Sequence, residues 1–139
     1  MRYQKIHEFK YVLASVYRQQ LSDWEFGAVE LKPYLSVSDA GLLTIRKGYP
    51  WDGPSGPTKD RRENMVPALV HDALYELCRA SVVPWQPCKL YADRLICKMC
   101  IAAGMRPWWA RNFYYRGLRW FGDSSAKPQP SRKYRVYEL

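Results

Sequence analysis

The sequence predicts an α+β fold, with an N-terminal antiparallel β section that contains a hairpin, then three packed α-helices and a basic C-terminal tail. In the β section, about residues 1–48, short apolar runs alternate with turn residues, as strands require. From about residue 65 to 121, apolar residues recur at three- and four-residue spacing, as amphipathic helices require. Since 139 residues suit one domain, we expect a single domain over 1–122, with a loop over 48–64, and a Pro- and Ser-rich tail over 123–139.

The prediction of the β section is based on short runs of strand-forming residues. Residues 28–31 and 34–37 are strand candidates. Residues 38–41, Ser-Asp-Ala-Gly, have turn chemistry, so residues 42–46 are expected to return as the second strand of a hairpin. Alternation within residues 9–17 favours a further strand.

The segment 48–58 predicts a loop between the sheet and the helices. It holds three glycines and three prolines in eleven residues, which excludes a helix or a central strand. Proline stiffens such a loop, and glycine lets its backbone approach a ligand closely. Asp52 and Ser55 are its polar side chains. The segment is therefore either a ligand-binding loop or a rigid connector.

The first helix, about residues 65–79, contains the main candidate site. Its apolar face comprises Val66, Leu69, Val70, Ala73, Leu74 and Leu77. His71, Asp72 and Tyr75 are then predicted to project from the other side. A histidine can exchange a proton near neutral pH, and a carboxylate can orient it or hold a metal. The alternative is an exposed histidine, a solvated aspartate and a tyrosine packed on a neighbouring helix.

The second helix is predicted to begin at about Cys88, after a break at residues 83–87, and to end at Gly104 as its C-cap. Asp93 lies at the edge of its apolar face, in the first turns. A carboxylate at the rim of a helix–helix contact needs a partner, because burial without one is costly.

The third helix is predicted to begin at Pro107 and to stop at Gly122. We expect its core face to comprise Ala110, Phe113, Tyr114, Gly117, Leu118 and Phe121. Basic and aromatic side chains flank that face and form a candidate membrane or partner surface, namely Arg106, Trp108, Trp109, Arg111, Arg116 and Arg119.

Charge and cysteine content limit the classes of partner and compartment. The net charge of +9 and the pI near 9.5 favour anionic partners: acidic lipid, an acidic protein or, with less support from motifs, nucleic acid. The N-terminus has no signal-peptide pattern, and we expect no transmembrane helix. The four cysteines, Cys78, Cys88, Cys97 and Cys100, lack the spacing of a zinc site and are expected to be free thiols.

Four motifs in order resemble those of a family of small phage and prophage proteins of unassigned function. They are the loop Asp52-x-x-Ser55, the helix motif His71-Asp72-x-Leu74-Tyr75, the pair Ala92-Asp93, and the closing residues Trp120-Phe121-Gly122. The resemblance covers roughly residues 40–122. It implies a phage or prophage origin, and hence the host bacterial cytoplasm or the virion as the location.

A more distant resemblance is to secreted phospholipases A₂, which place a Gly-rich calcium loop before a His-Asp-x-x-Tyr helix and an antiparallel helix bearing an aspartate. It implies that His71 is the general base, that Asp93 orients its ring and that Tyr75 binds Asp93. It also implies a calcium ion on Asp72 and carbonyl groups of the 51–56 loop, with Asp52, Gly53 and Ser55 as further candidate ligands.

Two functions therefore compete. One is a small phage-encoded hydrolase, a phospholipase A₂-like esterase acting on the host envelope. The other is a non-enzymatic virion or assembly protein, in which His71, Asp72, Tyr75 and Asp93 form a structural polar network. An open cleft over His71 would favour the enzyme, whereas a sealed one would favour the network.

Overall fold

The computed structural model describes residues 3–4, 11–51 and 62–129, and it confirms the predicted α+β fold, with antiparallel strands followed by helices. The chain divides into two compact units, an N-terminal one that reaches Asp52 and a helical one, Gly53–Gln129. The helical unit continues past the boundary predicted at residue 122. The Gln129 amide donates to the Arg79 carbonyl at 3.0 Å, and Ala126 is fully buried.

The N-terminal unit contains two antiparallel sheets. Its strands are β1 (Tyr3–Gln4), β2 (Tyr11–Leu13), β3 (Tyr17–Gln20), β4 (Val29–Leu31), β5 (Leu35–Val37), β6 (Leu42–Ile45) and β7 (Pro50–Trp51). One sheet has the order β1-β2-β7 and the other β3-β6-β5-β4. The predicted hairpin is β5–β6, with Val37 opposite Leu43. Its turn needs Gly41, whose φ of +90° is disfavoured for other residues.

Strand β7 corrects the predicted loop, because the loop was expected to begin at Gly48. Pro50 instead pairs with Val12 of β2, and Trp51 pairs with Tyr11. Proline is tolerated there because β7 is an edge strand, where the missing N–H costs no ladder bond. The rest of that loop, with Asp52, Gly53 and Ser55, lies outside the described residues.

The helical unit begins with α1 (Arg62–Arg79) and α2 (Trp85–Ala102), which pack against each other. Helix α2 begins three residues earlier than predicted. Pro84 is its N-cap and Pro87 lies in its first turn, where backbone N–H groups have no partner within the helix. Prolines at these positions therefore start the helix rather than break it.

Helix α1 is buried on nearly all sides, which corrects the expectation that its polar face points away from the core. Leu69, Ala73 and Leu74 are fully buried, as predicted. However, His71 and Tyr75 are also only 5 % and 4 % exposed. The polar face is therefore covered as well, since both side chains contact Asp93 of α2.

The predicted third helix is continuous but not uniformly α-helical. It consists of α3 (Pro107–Trp109), a π-helical segment (Ala110–Tyr115) and α4 (Arg116–Phe121); a last helix, α5 (Asp123–Ala126), follows. No helix in the described ranges is long and apolar enough to cross a membrane.

The π segment changes which residues of this helix face the core. Ala110 and Tyr114 are buried as predicted, and Tyr114 packs on Ile96 of α2. Phe113 and Phe121 were wrongly predicted, since they are 45 % and 78 % exposed. A π turn is closed by i→i+5 hydrogen bonds and contains more residues than an α turn, which has about 3.6. The buried positions of this segment therefore recur every four residues.

Candidate functional site

Asp93, on α2, is the centre of a buried polar cluster. Its Oδ1 accepts hydrogen bonds from His71 Nε2 at 2.9 Å and from Tyr75 OH at 2.6 Å. Its Oδ2 accepts from Lys89 Nζ at 2.9 Å and from Arg119 Nη1 at 3.0 Å. A carboxylate offers about four acceptor positions, so four donors saturate it. Asp93 itself has no exposed surface.

Helical spacing explains how these side chains meet. His71 and Tyr75 lie four residues apart on α1, and their rings are 4.0 Å apart between centroids. Lys89 and Asp93 lie four residues apart on α2. The packing of α1 on α2 therefore brings His71, Tyr75 and Asp93, the three candidate catalytic residues, into direct contact.

Lys89 is a member of the cluster that sequence reasoning missed. Its residue is 1 % exposed, and Nζ also donates to the Leu118 carbonyl of α4 at 2.9 Å. Asp123 lies 3.4 Å away, on the exposed side. A signal was present in the sequence, since Lys89 precedes Asp93 by four residues on the apolar side of α2.

Arg119 is a second member of the cluster that sequence reasoning missed. Its guanidinium donates to Asp93, but its side chain is still 34 % exposed, so it also remains a candidate surface residue. Of the other candidate surface residues, Arg106, Trp108, Arg111 and Arg116 are exposed, whereas Trp109 is half-buried. Arg119 therefore belongs both to the polar cluster around Asp93 and to the partly exposed side of α4.

The predicted calcium site depends on residues outside the described ranges. Asp72 is half-buried on α1, but Asp52, Gly53 and Ser55 are not described. Within the described residues, no three or more His, Cys, Asp or Glu side chains lie together as a metal site. The four cysteines are free and buried. The calcium site thus remains a prediction, and Asp72 is its one candidate ligand within the described residues.

Hydrogen bonding keeps Asp93 ionised. Burial alone would raise its pKa, but the hydrogen bonds from His71, Lys89 and Tyr75 outweigh burial and lower the pKa to about 2. Burial and the neighbouring Asp93 charge raise the pKa of Tyr75, so its hydroxyl stays protonated as a donor. The carboxylate is therefore a permanent acceptor at neutral pH.

His71 is held in its neutral form. Burial lowers its pKa below 6.5, although the hydrogen bond to Asp93 opposes that shift. Because Asp93 is ionised, Nε2 must carry the proton that it donates to Oδ1. Nδ1 is then the unprotonated nitrogen, and it makes no hydrogen bond to any described residue. This tautomer leaves a base at Nδ1.

We expect the His71 ring to titrate below pH 6.5 in the folded protein, because burial lowers its pKa. The unfolded chain takes up that proton near pH 6.5 and the folded chain does not, so stability should fall as the pH drops below 6.5. NMR of labelled imidazole groups can follow both histidines of the chain, with His71→Ala for assignment, and urea unfolding can follow stability. A His71 midpoint at or above 6.5 would contradict the assignment.

Gly122 lets α4 end against the cluster. A Cβ atom at this position would stand 2.5 Å from the Leu118 carbonyl oxygen, 2.6 Å from the Tyr75 hydroxyl and 3.2 Å from Lys89 Cε. In the sequence, Gly122 is predicted to stop the third helix, and it ends the closing motif Trp120-Phe121-Gly122. In the structure it is also the residue without a side chain that lets Tyr75 and Lys89 reach Asp93.

Replacing Gly122 with alanine is expected to lower the free energy of unfolding by about 1–3 kcal/mol, because backbone and buried side chains would have to shift. Gly117→Ala is a matched control in the same helix, since a Cβ there meets nothing within 4 Å. That control should be neutral or slightly stabilising. Urea unfolding of both variants measures the difference, and equal stabilities would refute the close packing.

Comparison with known proteins found no matching family model, no matching curated protein and no matching solved structure.

Proposed function

We propose that this protein is a small phage-encoded His/Asp hydrolase, a phospholipase A₂-like esterase that acts on the host envelope. The observation that supports this most is the contact of His71 Nε2 with ionised Asp93, because it leaves Nδ1 as a base. A general base must be unprotonated at the working pH, and the lowered pKa of His71 meets that requirement.

In the proposed reaction, Nδ1 of His71 removes a proton from water as the water oxygen bonds to the ester carbonyl carbon. The ring becomes an imidazolium, which Asp93 stabilises through Nε2–H. The bond from that carbon to the alcohol oxygen then breaks, and the alcohol leaves with the proton from Nδ1. Tyr75 contributes by holding the Asp93 oxygen that binds His71.

Lys89 and Arg119 bind the other oxygen of Asp93, so they keep the carboxylate ionised and in place. The positive charges of Lys89 and Arg79 also lower the pKa of His71, which favours the neutral ring between turnovers. A calcium ion on Asp72 and the 51–56 loop, if it binds, would supply positive charge for the carbonyl oxygen.

The test is hydrolysis of vesicles that contain phosphatidylglycerol and phosphatidylethanolamine. Purified protein is assayed with Ca²⁺, with EDTA, and as the His71→Ala variant. We expect fatty acid release that depends on Ca²⁺ and disappears in the variant. Release in EDTA would reject the calcium role alone, and no release under any condition would reject the phospholipase-like proposal.

A second candidate, a virion or assembly protein, is the one that the accessibility criterion for His71 favours, because this residue is almost fully buried. His71 is 5 % exposed and Asp93 has no exposed surface, and saturation by four donors is what a structural network needs. Mass spectrometry of purified phage particles tests it. Protein present in particles and inactive on vesicles would support this role, whereas protein absent from particles would exclude the virion form.

A further inference from the structure

The outer side of the helix formed by α3, the π segment and α4 exposes large aromatic side chains. Trp108 is 68 % exposed, Trp120 is 73 % and Phe121 is 78 %, and Phe113 is 45 % exposed. Among the described residues, this one helix holds four of the six exposed large apolar side chains. Exposed aromatic residues grouped in this way are typical of an interaction surface rather than of ordinary solvent-facing chain.

The helical geometry aligns part of this group into a stripe. Trp108, Asn112, Arg116 and Trp120 follow one another at four-residue spacing, opposite the buried Ala110 and Tyr114. Asn112 turns its amide to the Trp108 carbonyl at 3.0 Å, so its donor is used within the helix. The stripe therefore presents indole rings and a guanidinium outward.

Charge determines what kind of partner suits this stripe. The chain has no acidic residue between Asp93 and Asp123, and Arg106, Arg111 and Arg116 are all exposed there. Such a surface complements an anion and would repel a basic partner. Its aromatic side chains additionally need a partner with an apolar layer beneath the anionic groups.

We propose that this helix is a docking surface for an anionic phospholipid bilayer. Trp108, Trp120 and Phe121 would enter the interface, where amphipathic aromatic rings are stable, and Arg106, Arg111 and Arg116 would bind lipid phosphates. A bilayer fits better than nucleic acid because the most exposed side chains are apolar, and they occupy the helix end to end.

The same helix also contributes to the polar cluster. The Leu118 carbonyl binds Lys89, and Arg119 binds Asp93, one residue before exposed Trp120. Docking through α4 would therefore bring the cluster close to the lipid. The docking surface extends the proposed hydrolase function, and it rests on that function for the source of the lipid, which is the host envelope.

The test measures binding without hydrolysis, so that its outcome is independent of catalysis. Wild-type protein is co-sedimented with vesicles of ether-linked phosphatidylglycerol, which an esterase cannot cleave, and with ether-linked phosphatidylcholine. We expect binding to phosphatidylglycerol that weakens with salt, and little binding to phosphatidylcholine. Failure to bind would overturn the docking surface while leaving esterase activity on soluble esters to be measured separately.

Variants then locate the surface. Trp108→Ala with Trp120→Ala is expected to weaken binding on the order of tenfold, and Arg111→Gln or Arg116→Gln about fivefold each. The controls are Leu42→Ala and Arg18→Gln, an exposed apolar and an exposed basic residue on strands β6 and β3. Equal losses in variants and controls, or tighter binding to single-stranded DNA than to vesicles, would refute the proposal.

Discussion

Asp93→Asn is expected to lower the free energy of unfolding by about 3–5 kcal/mol, the range for breaking a buried ion pair by removing one partner. Asparagine has nearly the same shape, so the effect comes from charge and hydrogen bonding rather than volume. Lys89, 1 % exposed, would lose its buried counter-charge, and His71 and Tyr75 would share a weaker acceptor.

Urea unfolding at neutral pH measures this effect, and Asp123→Asn is the matched control. Asp123 also lies within 3.4 Å of Lys89, but its side chain is 56 % exposed. Its removal should cost less than about 1 kcal/mol, as for a surface ion pair. Adding Lys89→Met to Asp93→Asn should restore part of the loss. Equal costs for the two aspartates would contradict the cluster.

Acid adds a second check on Asp93. Its folded pKa of about 2 lies below its ordinary value of 3.8, so the stability it contributes is present above about pH 4 and lost as the pH falls towards 2. The loss of stability from Asp93 should begin near pH 4, whereas the loss from His71 should begin near pH 6.5, and a parallel pH series on His71→Ala separates the two contributions.

His71→Ala is expected to lower esterase activity on the order of 10²–10⁴-fold, the usual contribution of a general base. Asp93 would keep three of its four donors, so the loss of stability should be moderate, about 1–3 kcal/mol. The measurement pairs initial rates of fatty acid release with urea unfolding of the same preparation.

Tyr75→Phe is the control for His71→Ala. It removes one donor to the same Asp93 oxygen and keeps the aromatic ring, so it tests the cluster without removing the base. We expect a reduction of activity of a few-fold only. If both variants lost activity in proportion to their stability, the cluster would be a structural network, as in a virion protein.

Much of the fold was predictable because its signals are local. The turn at residues 38–41 and the runs on either side of it predict a hairpin from short-range chemistry, and strands β5 and β6 are found there. The periodicity of residues 65–79 likewise predicts a helix, and α1 includes all of it. Neither prediction needs knowledge of distant parts of the chain.

The errors arise where distant packing or backbone geometry decides. Strand β7 exists because Pro50 and Trp51 pair with β2, almost forty residues earlier in the chain. Phe113 and Phe121 are exposed because a π segment, which no residue pattern announces, changes the helical phase.

The candidate site likewise has a part that the sequence predicted and a part that only the tertiary structure decided. Local spacing selected His71 and Tyr75, which share a helix face, and it placed Asp93 at a helix contact where a carboxylate needs a partner. The phospholipase A₂ resemblance alone implied that the three residues act together. Only the tertiary structure decided that the polar face of α1 is buried and that Lys89 and Arg119 complete the cluster. Lys89 reaches Asp93 from α2, and Arg119 reaches it from α4. A buried carboxylate must receive hydrogen bonds from the elements that enclose it, so its donors depend on how the helices pack.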